Sequence, residues 1–174
     1  MTRRARTTTS ARAIIATRAR TSARTPDPLL PAPLPSPPMP PAPGESFATN
    51  EEPDLIVWRL VGHVSADDIR HLYDAQVRFC EGRSHAFVLI DVHRLGHFAP
   101  EARRIAAQGP HDGKIVLPVR ANAVVGASFH LRVLGIMVSR ASALLNPAHA
   151  VPIQFFDTES EARAWIDDLR RDLR

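Results

Sequence analysis

The sequence predicts an α/β domain with a mainly parallel or mixed sheet of four to five strands and about four helices, preceded by a disordered tail. The first observation is the run 85–92, which is nearly all apolar and lies between Gly82 and Gly96. That length and composition are typical of a strand buried on both faces. The second observation is that helical patterns alternate with strand patterns along the chain. Parallel strands joined by right-handed helical crossovers are therefore expected, with 85–92 at the centre of the sheet.

The segment 1–46 differs sharply in composition from the rest of the chain. It carries seven arginines and two acidic residues, and residues 26–43 hold ten of the sixteen prolines. Proline has no N–H donor and a fixed φ, so neither helix nor sheet is expected there. We therefore predict a disordered tail over 1–46 and one folded domain over 47–174. The tail's arginine, threonine and serine content also resembles an organelle transit peptide.

The charge, the cysteine content and the lengths of the apolar runs argue against several classes of protein. Outside the tail the chain has 15 basic and 16 acidic residues, so the folded part has no net charge typical of a specific nucleic-acid surface. Cys80, the single cysteine, excludes an internal disulfide and falls on the apolar stripe of a predicted helix, where a buried thiol is expected. No apolar run approaches ~18 residues, so no membrane span is expected. A single lysine, Lys114, among 22 basic residues indicates the codon bias of a GC-rich genome, which favours a bacterial, cytoplasmic protein.

The first half of the domain contains two β segments before its first helix. A short strand near 46–49 is expected to pair with 55–61, which Gly62 would end. Ser65 followed by two acidic residues is typical of a helix N-terminus. The helix should bury Ile69, Leu72, Tyr73, Gln76 and Cys80, end at Gly82, and lead into the central strand 86–92.

The second half continues the alternation. Proline at a first-turn position predicts a helix over Pro100–Gln108, and 110–119 is ambiguous between a strand and a packed turn. A buried strand is expected at 121–126 and a last strand at 153–156. Thr158 with Glu161 forms a capping box, which starts a final helix. Trp58 is expected to be buried or half-buried, and the final helix should bury Ala162, Trp165, Ile166, Leu169 and Leu173.

The segment 130–146 has a strong helix pattern and is unusually apolar. Its polar or small residues form one narrow stripe: Arg132, Gly135, Ser139, Ser142 and Asn146. We expect the remaining apolar surface to be mostly core, with any excess lining a lipid pocket or a homodimer interface. That surface comprises Leu131, Val133, Leu134, Ile136, Met137, Val138, Leu144 and Leu145.

This element order, with a central strand that closes on Ile90-Asp91, resembles the STAS domain and its SpoIIAA-like and STAS-SEC14-like relatives in bacteria. Three stretches add to the resemblance: 100–104, 124–129 and 155–165. It covers about residues 47–172. The resemblance implies a regulatory or protein-interaction domain that is not an enzyme and needs no cofactor, with another protein or a second copy of the chain as its partner.

In anti-sigma antagonists of this family, a Ser or Thr beside the start of the second helix is phosphorylated. The corresponding segment here, 92–99, contains no hydroxyl group. The phosphorylation switch is therefore not transferred to this chain. Binding of a partner through the same segment stays open, by analogy of fold.

Ser128 follows a predicted strand and precedes a helix, which is the setting of a hydrolase nucleophile. That motif needs glycine two residues after the serine, and His130 stands there. His149 and Asp157 would be its triad partners. The structural interpretation is that Ser128 has no catalytic role and caps the helix. A third possibility is an anion held by the amides of this helix start, with Gly126 allowing close approach.

Asp91, His93 and His97, with His111-Asp112 further along, form the densest group of metal-capable side chains. A zinc site needs three or four converging ligands, and this spacing indicates a polar loop instead, so we expect no metal. Ligand sites of open α/β sheets nevertheless lie at the carboxyl ends of the strands. Any ligand or partner site is therefore predicted at Asp91, His93, His97, Gly126, Ser128 and Phe129, and the alternative functions are a small-ligand carrier for a lipid or anion and a Ser128-dependent hydrolase.

Overall fold

The computed structural model describes residues 44–173, so most of the predicted disordered tail over 1–46 lies outside the described residues. Five strands form one mixed sheet in the order β1-β2-β3-β4-β5. The strands are β1 (Phe47–Glu51), β2 (Leu55–Val64), β3 (Ala86–Phe98), β4 (Val119–Val125) and β5 (Ile153–Phe156). The helices are α1 (Ala66–Cys80), α2 (Pro100–Gln108), α3 (Phe129–Leu145) and α4 (Glu159–Asp172).

The central position predicted for the apolar run is confirmed, because β3 is the third of the five strands. It pairs in parallel with β2 on one side and β4 on the other. Only β1 is antiparallel, and it forms a hairpin with β2 as expected. The crossover helices make the other pairs parallel, in agreement with the predicted fold class.

Two strand ends predicted from the sequence are wrong. Gly62 does not end β2, and the segment after Val92 is not a loop: both strands continue as a paired ladder to Val64 and Phe98. Gly62 has a φ of +63° and lies beside register shifts, so it bends the ladder without ending it. A Cβ on Gly96 would lie 3.3 Å from the Gly62 carbonyl oxygen, so a side chain at position 96 would crowd the neighbouring strand.

The helix starts follow their capping residues. Ser65 caps α1, with its hydroxyl accepting from the Asp68 N–H at 3.3 Å, and Thr158 caps α4 in the predicted capping box. The bounds of α2 are those predicted, and Gly109 follows it with a φ of +85°. The ambiguous segment after α2 is a 3-10 turn, Pro110–Gly113, followed by irregular chain up to β4.

The sheet buries both faces. Helices α1, α2 and α3 lie on one side, over residues that include Ile56, Trp58, Val88, Val92 and Val124. Among residues 44–173, α4 is the one helix on the other side, where its Ala162 and Ile166 pack on Leu55, Val57, Phe87, Leu89, Ala121, Ala123 and Val125. We refer to these as the three-helix face and the α4 face.

Several burial predictions are confirmed and one is wrong. Trp58 is buried, Trp165 is half-buried, and Cys80 is buried, where desolvation raises the pKa of its thiol. Leu173, predicted in the buried face of the last helix, is 47% exposed because α4 ends at Asp172.

Helix α3 packs differently from the prediction. None of its residues is fully buried. Its small and polar stripe faces the protein, where a Cβ on Gly135 would lie 3.0 Å from the Phe155 ring. Of the apolar residues predicted to be core, Leu131, Leu134 and Val138 do face the protein. The others are exposed: Val133, Ile136, Met137, Leu144 and Leu145.

Candidate functional site

An apolar cavity of about 210 Å³ lies on the three-helix face, between the sheet and helices α1, α2 and α3. The strands contribute Trp58, Leu60, Val88, Ile90, Val92, Val124, Ile153 and Phe155 to its wall, and the inner side of α3 contributes Leu131, Leu134, Gly135, Val138, Ser139 and Ser142. Among the described residues that line it, none carries a charge. Its chemistry therefore suits an uncharged, largely apolar occupant.

Six polar side chains interrupt this apolar wall, and two of them are the serines Ser139 and Ser142 of α3. Tyr73 donates its hydroxyl to the Ala106 carbonyl at 2.9 Å, and burial raises the pKa of that phenol. Gln76, which is only 5% exposed, and half-buried Asn122 also line the cavity. The sixth is Trp58, whose indole Nε1 is buried and finds no acceptor among residues 44–173.

Helix α3 closes the cavity and is held by polar contacts near both ends. Near its start, Arg132 donates to the Ala127 carbonyl at 3.0 Å and forms an ion pair with Asp157. At its end, the Asn146 side-chain amide donates to the Gly113 carbonyl at 2.8 Å. Between these contacts the small side chains of its inner stripe leave space above the sheet. The cavity exists because α3 spans this space without filling it.

A second cluster, which we call the edge network, lies on the α4 face, midway along β2 and β3, and reaches the last residue of β1. It comprises Arg59, Asp91, Glu159, Arg163 and Glu51. Arg59, opposite Asp91 in the β2–β3 register, pairs with that carboxylate and with Glu159 at 3.0 Å. Arg163 then binds Glu51 at 2.6 Å and Glu159 at 2.7 Å. These ion pairs fasten α4 and β1 to the centre of the sheet.

The edge network sets the protonation of its carboxylates. Desolvation acts to raise the pKa of Asp91, but hydrogen bonds from His93 and Arg59 outweigh it, so the pKa lies below its ordinary value. The bond from Arg163 likewise lowers the pKa of Glu51 despite partial burial. Both carboxylates are therefore held ionised by cationic neighbours, which suits an ion-pair network better than a proton-transfer site.

Three of the predicted site residues come together here. The His93 Nδ1–H donates to the Asp91 carboxylate at 2.8 Å, and the His93 backbone N–H donates to the same carboxylate at 2.9 Å. Its ring lies against Gly126, where a Cβ would be 2.4 Å from the ring. Ser128 caps α3 just beyond, with its hydroxyl accepting from the Leu131 N–H at 3.4 Å.

The remaining predicted site residues lie elsewhere. His97 stacks on His63 at a centroid distance of 5.0 Å, in the β2–β3 extension. Phe129 is 75% exposed at the first turn of α3. His111 lies beyond α2, 3.4 Å from Asp74. Of the candidate triad, Asp157 pairs with Arg132, and the side chain of His149 lies outside the described residues.

The described part of the chain, residues 44–173, shows neither a metal cluster nor a membrane-spanning helix. No three His, Cys, Asp or Glu side chains converge there as a metal site requires. No helix in that part of the chain is both long enough and apolar enough to cross a membrane.

The mixed sheet with helices on both faces defines an α/β domain of the STAS class. A family model described as SpoIIAA-like matches residues 55–167, which is more than half of the chain. The chain belongs to the SpoIIAA-like family, and the resemblance drawn from its sequence is confirmed.

Two solved structures are similar to this chain. One is an uncharacterized protein of the DUF3478 family from Shewanella loihica PV-4, with a SpoIIAA-like fold; it is 16% identical over 69% of this chain and 90% of that chain, with a TM-score of 0.46. The other, a protein named Mglu, is 17% identical over 65% of this chain and 19% of that chain, with a TM-score of 0.32. No curated protein matches the chain.

None of the six predicted site residues lines the cavity. Sequence reasoning placed the site at the strand ends, where open α/β sheets usually bind ligands. The signal that could have located the cavity is the spacing of Gly135, Ser139 and Ser142, which puts three small side chains on one side of an otherwise apolar helix.

Proposed function

We propose that this domain is a non-enzymatic binding module whose cavity holds a small apolar molecule beneath α3. The observation that carries the proposal is a cavity of about 210 Å³ with an uncharged wall. Helix α3 covers this cavity and turns its small residues toward it. At roughly 30 Å³ for a water-sized group, that volume accommodates about seven such groups, the size of a short lipid chain or one ring system. This is the carrier function that the sequence left as an alternative.

The apolar wall favours an apolar occupant. A ligand that fills the space removes apolar surface of the protein and of itself from water, which is worth roughly 25 cal/mol per Å² buried.

The polar groups of the domain support a role without catalysis. Ser128 caps a helix, and Asp91 is tied up by Arg59 and His93 on the opposite side of the sheet from the cavity. A ligand in the cavity therefore meets no ionised acid or base. A cytoplasmic location remains part of the proposal, on the codon-bias argument given above.

Binding of naphthalene, an uncharged fluorescent ring compound, tests the proposal. Wild-type protein should bind it saturably with one molecule per chain. Ser139→Leu puts a larger side chain into the cavity and should weaken binding roughly ten-fold, since overpacking costs about 1–3 kcal/mol. Ser160→Leu, the same change on exposed α4 surface, should leave the affinity unchanged. Absence of saturable binding, or equal affinities of the two variants, would contradict the proposal.

A second candidate is the interaction role that the family resemblance implies, with a second copy of this chain as the partner. The outer face of α3 exposes Val133, Met137 and Leu144, which lie on one side of the helix. Met137 is the central residue of the helix. Two α3 helices packed antiparallel about Met137 would therefore bury this face against its own copy, as a twofold interface requires.

The oligomeric state tests this second candidate. Sedimentation equilibrium should show a dimer for wild-type protein and a monomer for Met137→Glu, because the charge would be buried at the twofold axis. Leu173→Glu, on another exposed apolar residue, should stay dimeric. A wild-type monomer at millimolar protein would exclude the self-association role and leave ligand binding unaffected.

A further inference from the structure

We infer that the ligand of this cavity is an uncharged apolar molecule that carries a hydrogen-bond acceptor, such as the carbonyl of a ketone, aldehyde or ester, and that the indole N–H of Trp58 donates to it. The inference rests on the proposed function and names its ligand class. It begins from one atom, the Trp58 Nε1, which is buried without an acceptor among residues 44–173.

The environment of Trp58 makes this N–H unusual. The residue is only 5% exposed, lines the cavity, and packs edge-on against Tyr73 with ring centroids 5.2 Å apart. The Tyr73 hydroxyl donates to the Ala106 carbonyl, and it does not accept a hydrogen bond from the Trp58 N–H. Buried indole N–H groups normally find a partner, and a buried donor without one is costly. A ligand acceptor in the cavity would supply the missing partner.

The surroundings also define what the ligand is not. No Lys, Arg or His side chain lines the cavity, so a carboxylate or phosphate group inside it would be desolvated without a counter-charge. A pure hydrocarbon would fill the space but leave the Trp58 N–H without an acceptor. A neutral carbonyl compound satisfies both conditions. Gln76 and Asn122, which line the same cavity, add side-chain amides that can bind further polar atoms of such a ligand.

The test compares 2-octanone with 2-methyl-1-octene, which replaces the carbonyl oxygen by a CH₂ group of similar shape. The dissociation constant of each is measured by ¹H–¹⁵N NMR titration. The two compounds differ in their hydration in water, but that difference is the same for every protein variant. The test therefore compares the alkene-to-ketone ratio of dissociation constants between variants. Trp58→Phe should lower that ratio about five-fold, the fold-change that corresponds to one net hydrogen bond.

Trp165→Phe is the matched control, because it changes the chain's other tryptophan, which packs on Phe156 on the α4 face. It should leave the ratio unchanged. An equal ratio in wild-type and Trp58→Phe protein, with both compounds bound, would overturn the inference and leave the apolar-ligand function standing. Failure of both compounds to bind wild-type protein would remove the function and the inference together.

A measurement on the wild-type protein keeps the test decisive if Trp58→Phe does not fold. The Trp58 Nε1–H proton resonance should move downfield on addition of 2-octanone and not on addition of 2-methyl-1-octene. The Trp165 Nε1–H resonance serves as the internal reference. Equal shifts of the Trp58 resonance with the two compounds would overturn the inference.

Discussion

Replacing Gly126 with alanine tests the contact that joins the edge network to the start of α3. Gly126 has a φ of +76°, and a Cβ there would lie 2.4 Å from Cγ and Nδ1 of His93. The left-handed backbone costs an L-residue about 1–2 kcal/mol. The ring must also move away, which breaks its 2.8 Å hydrogen bond to Asp91, worth about 1 kcal/mol more. We expect Gly126→Ala to lower the free energy of unfolding by about 2–3 kcal/mol.

Urea unfolding followed by tryptophan fluorescence measures this change, and two variants separate its parts. Gly82→Ala is the control for backbone strain alone, because Gly82 has a φ of +71° and a Cβ there meets nothing within 4 Å. It should lose about 1–2 kcal/mol. In a His93→Ala background the clash is absent, so Gly126→Ala should then cost only as much as Gly82→Ala. If the cost of Gly126→Ala is the same with and without the His93 ring, the contact between the two residues is refuted.

Three further predictions concern the core, the edge network and the thiol. Ile166→Ala should cost about 2–5 kcal/mol in urea unfolding and Ile136→Ala under about 1 kcal/mol, because Ile166 is 1% exposed and Ile136 lies on the outer face of α3; equal losses would contradict the assigned faces. The pKa of Asp91 lies below its ordinary value, so its contribution to stability is complete above about pH 4 and is lost as the pH falls through the folded-state pKa. Asp91→Asn should therefore flatten the dependence of the urea midpoint on pH below about pH 4, whereas the same change at exposed Asp112 should not; an unaltered profile for Asp91→Asn would refute this assignment. Cys80 should react with a thiol reagent at least about ten-fold more slowly in native than in unfolded protein, since burial raises its pKa, and equal rates would show that it is accessible.

The features that local rules control could be predicted from the sequence. The run 86–92 is interior because five consecutive apolar residues, 86–90, precede Asp91, and the caps at Ser65 and Thr158 depend on contacts within one turn. The strand ends were missed for a non-local reason. The segment after Val92 contains the polar residues His93, Arg94 and His97, which are typical of a loop. It is nevertheless a strand, because β2 beside it supplies backbone hydrogen-bond partners as far as Phe98.

The orientation of α3 could not be predicted because both of its faces are compatible with burial by composition. A helix that is apolar on most of its circumference has a weak amphipathic signal, so its packing depends on the volumes opposite it. The ring of Phe155 lies against the helix at Gly135, where a Cβ would be 3.0 Å away, so glycine suits this position. Contacts of this kind join residues that are distant in the sequence, and the helix pattern alone does not contain them. The six predicted site residues stay a prediction of a ligand or partner site.

Methyl and amide NMR of the wild-type protein, titrated with naphthalene, tests most directly whether the inner side of α3 forms a ligand site. Binding in the cavity predicts that the largest shifts, and contacts from ligand protons, occur at Leu134, Val138 and Ile153. Met137 and Leu144, which point outward on the same helix, should change little. Shifts confined to Met137 and Leu144, with Leu134 and Val138 unaltered, would show that the ligand binds on the outside and would contradict the account.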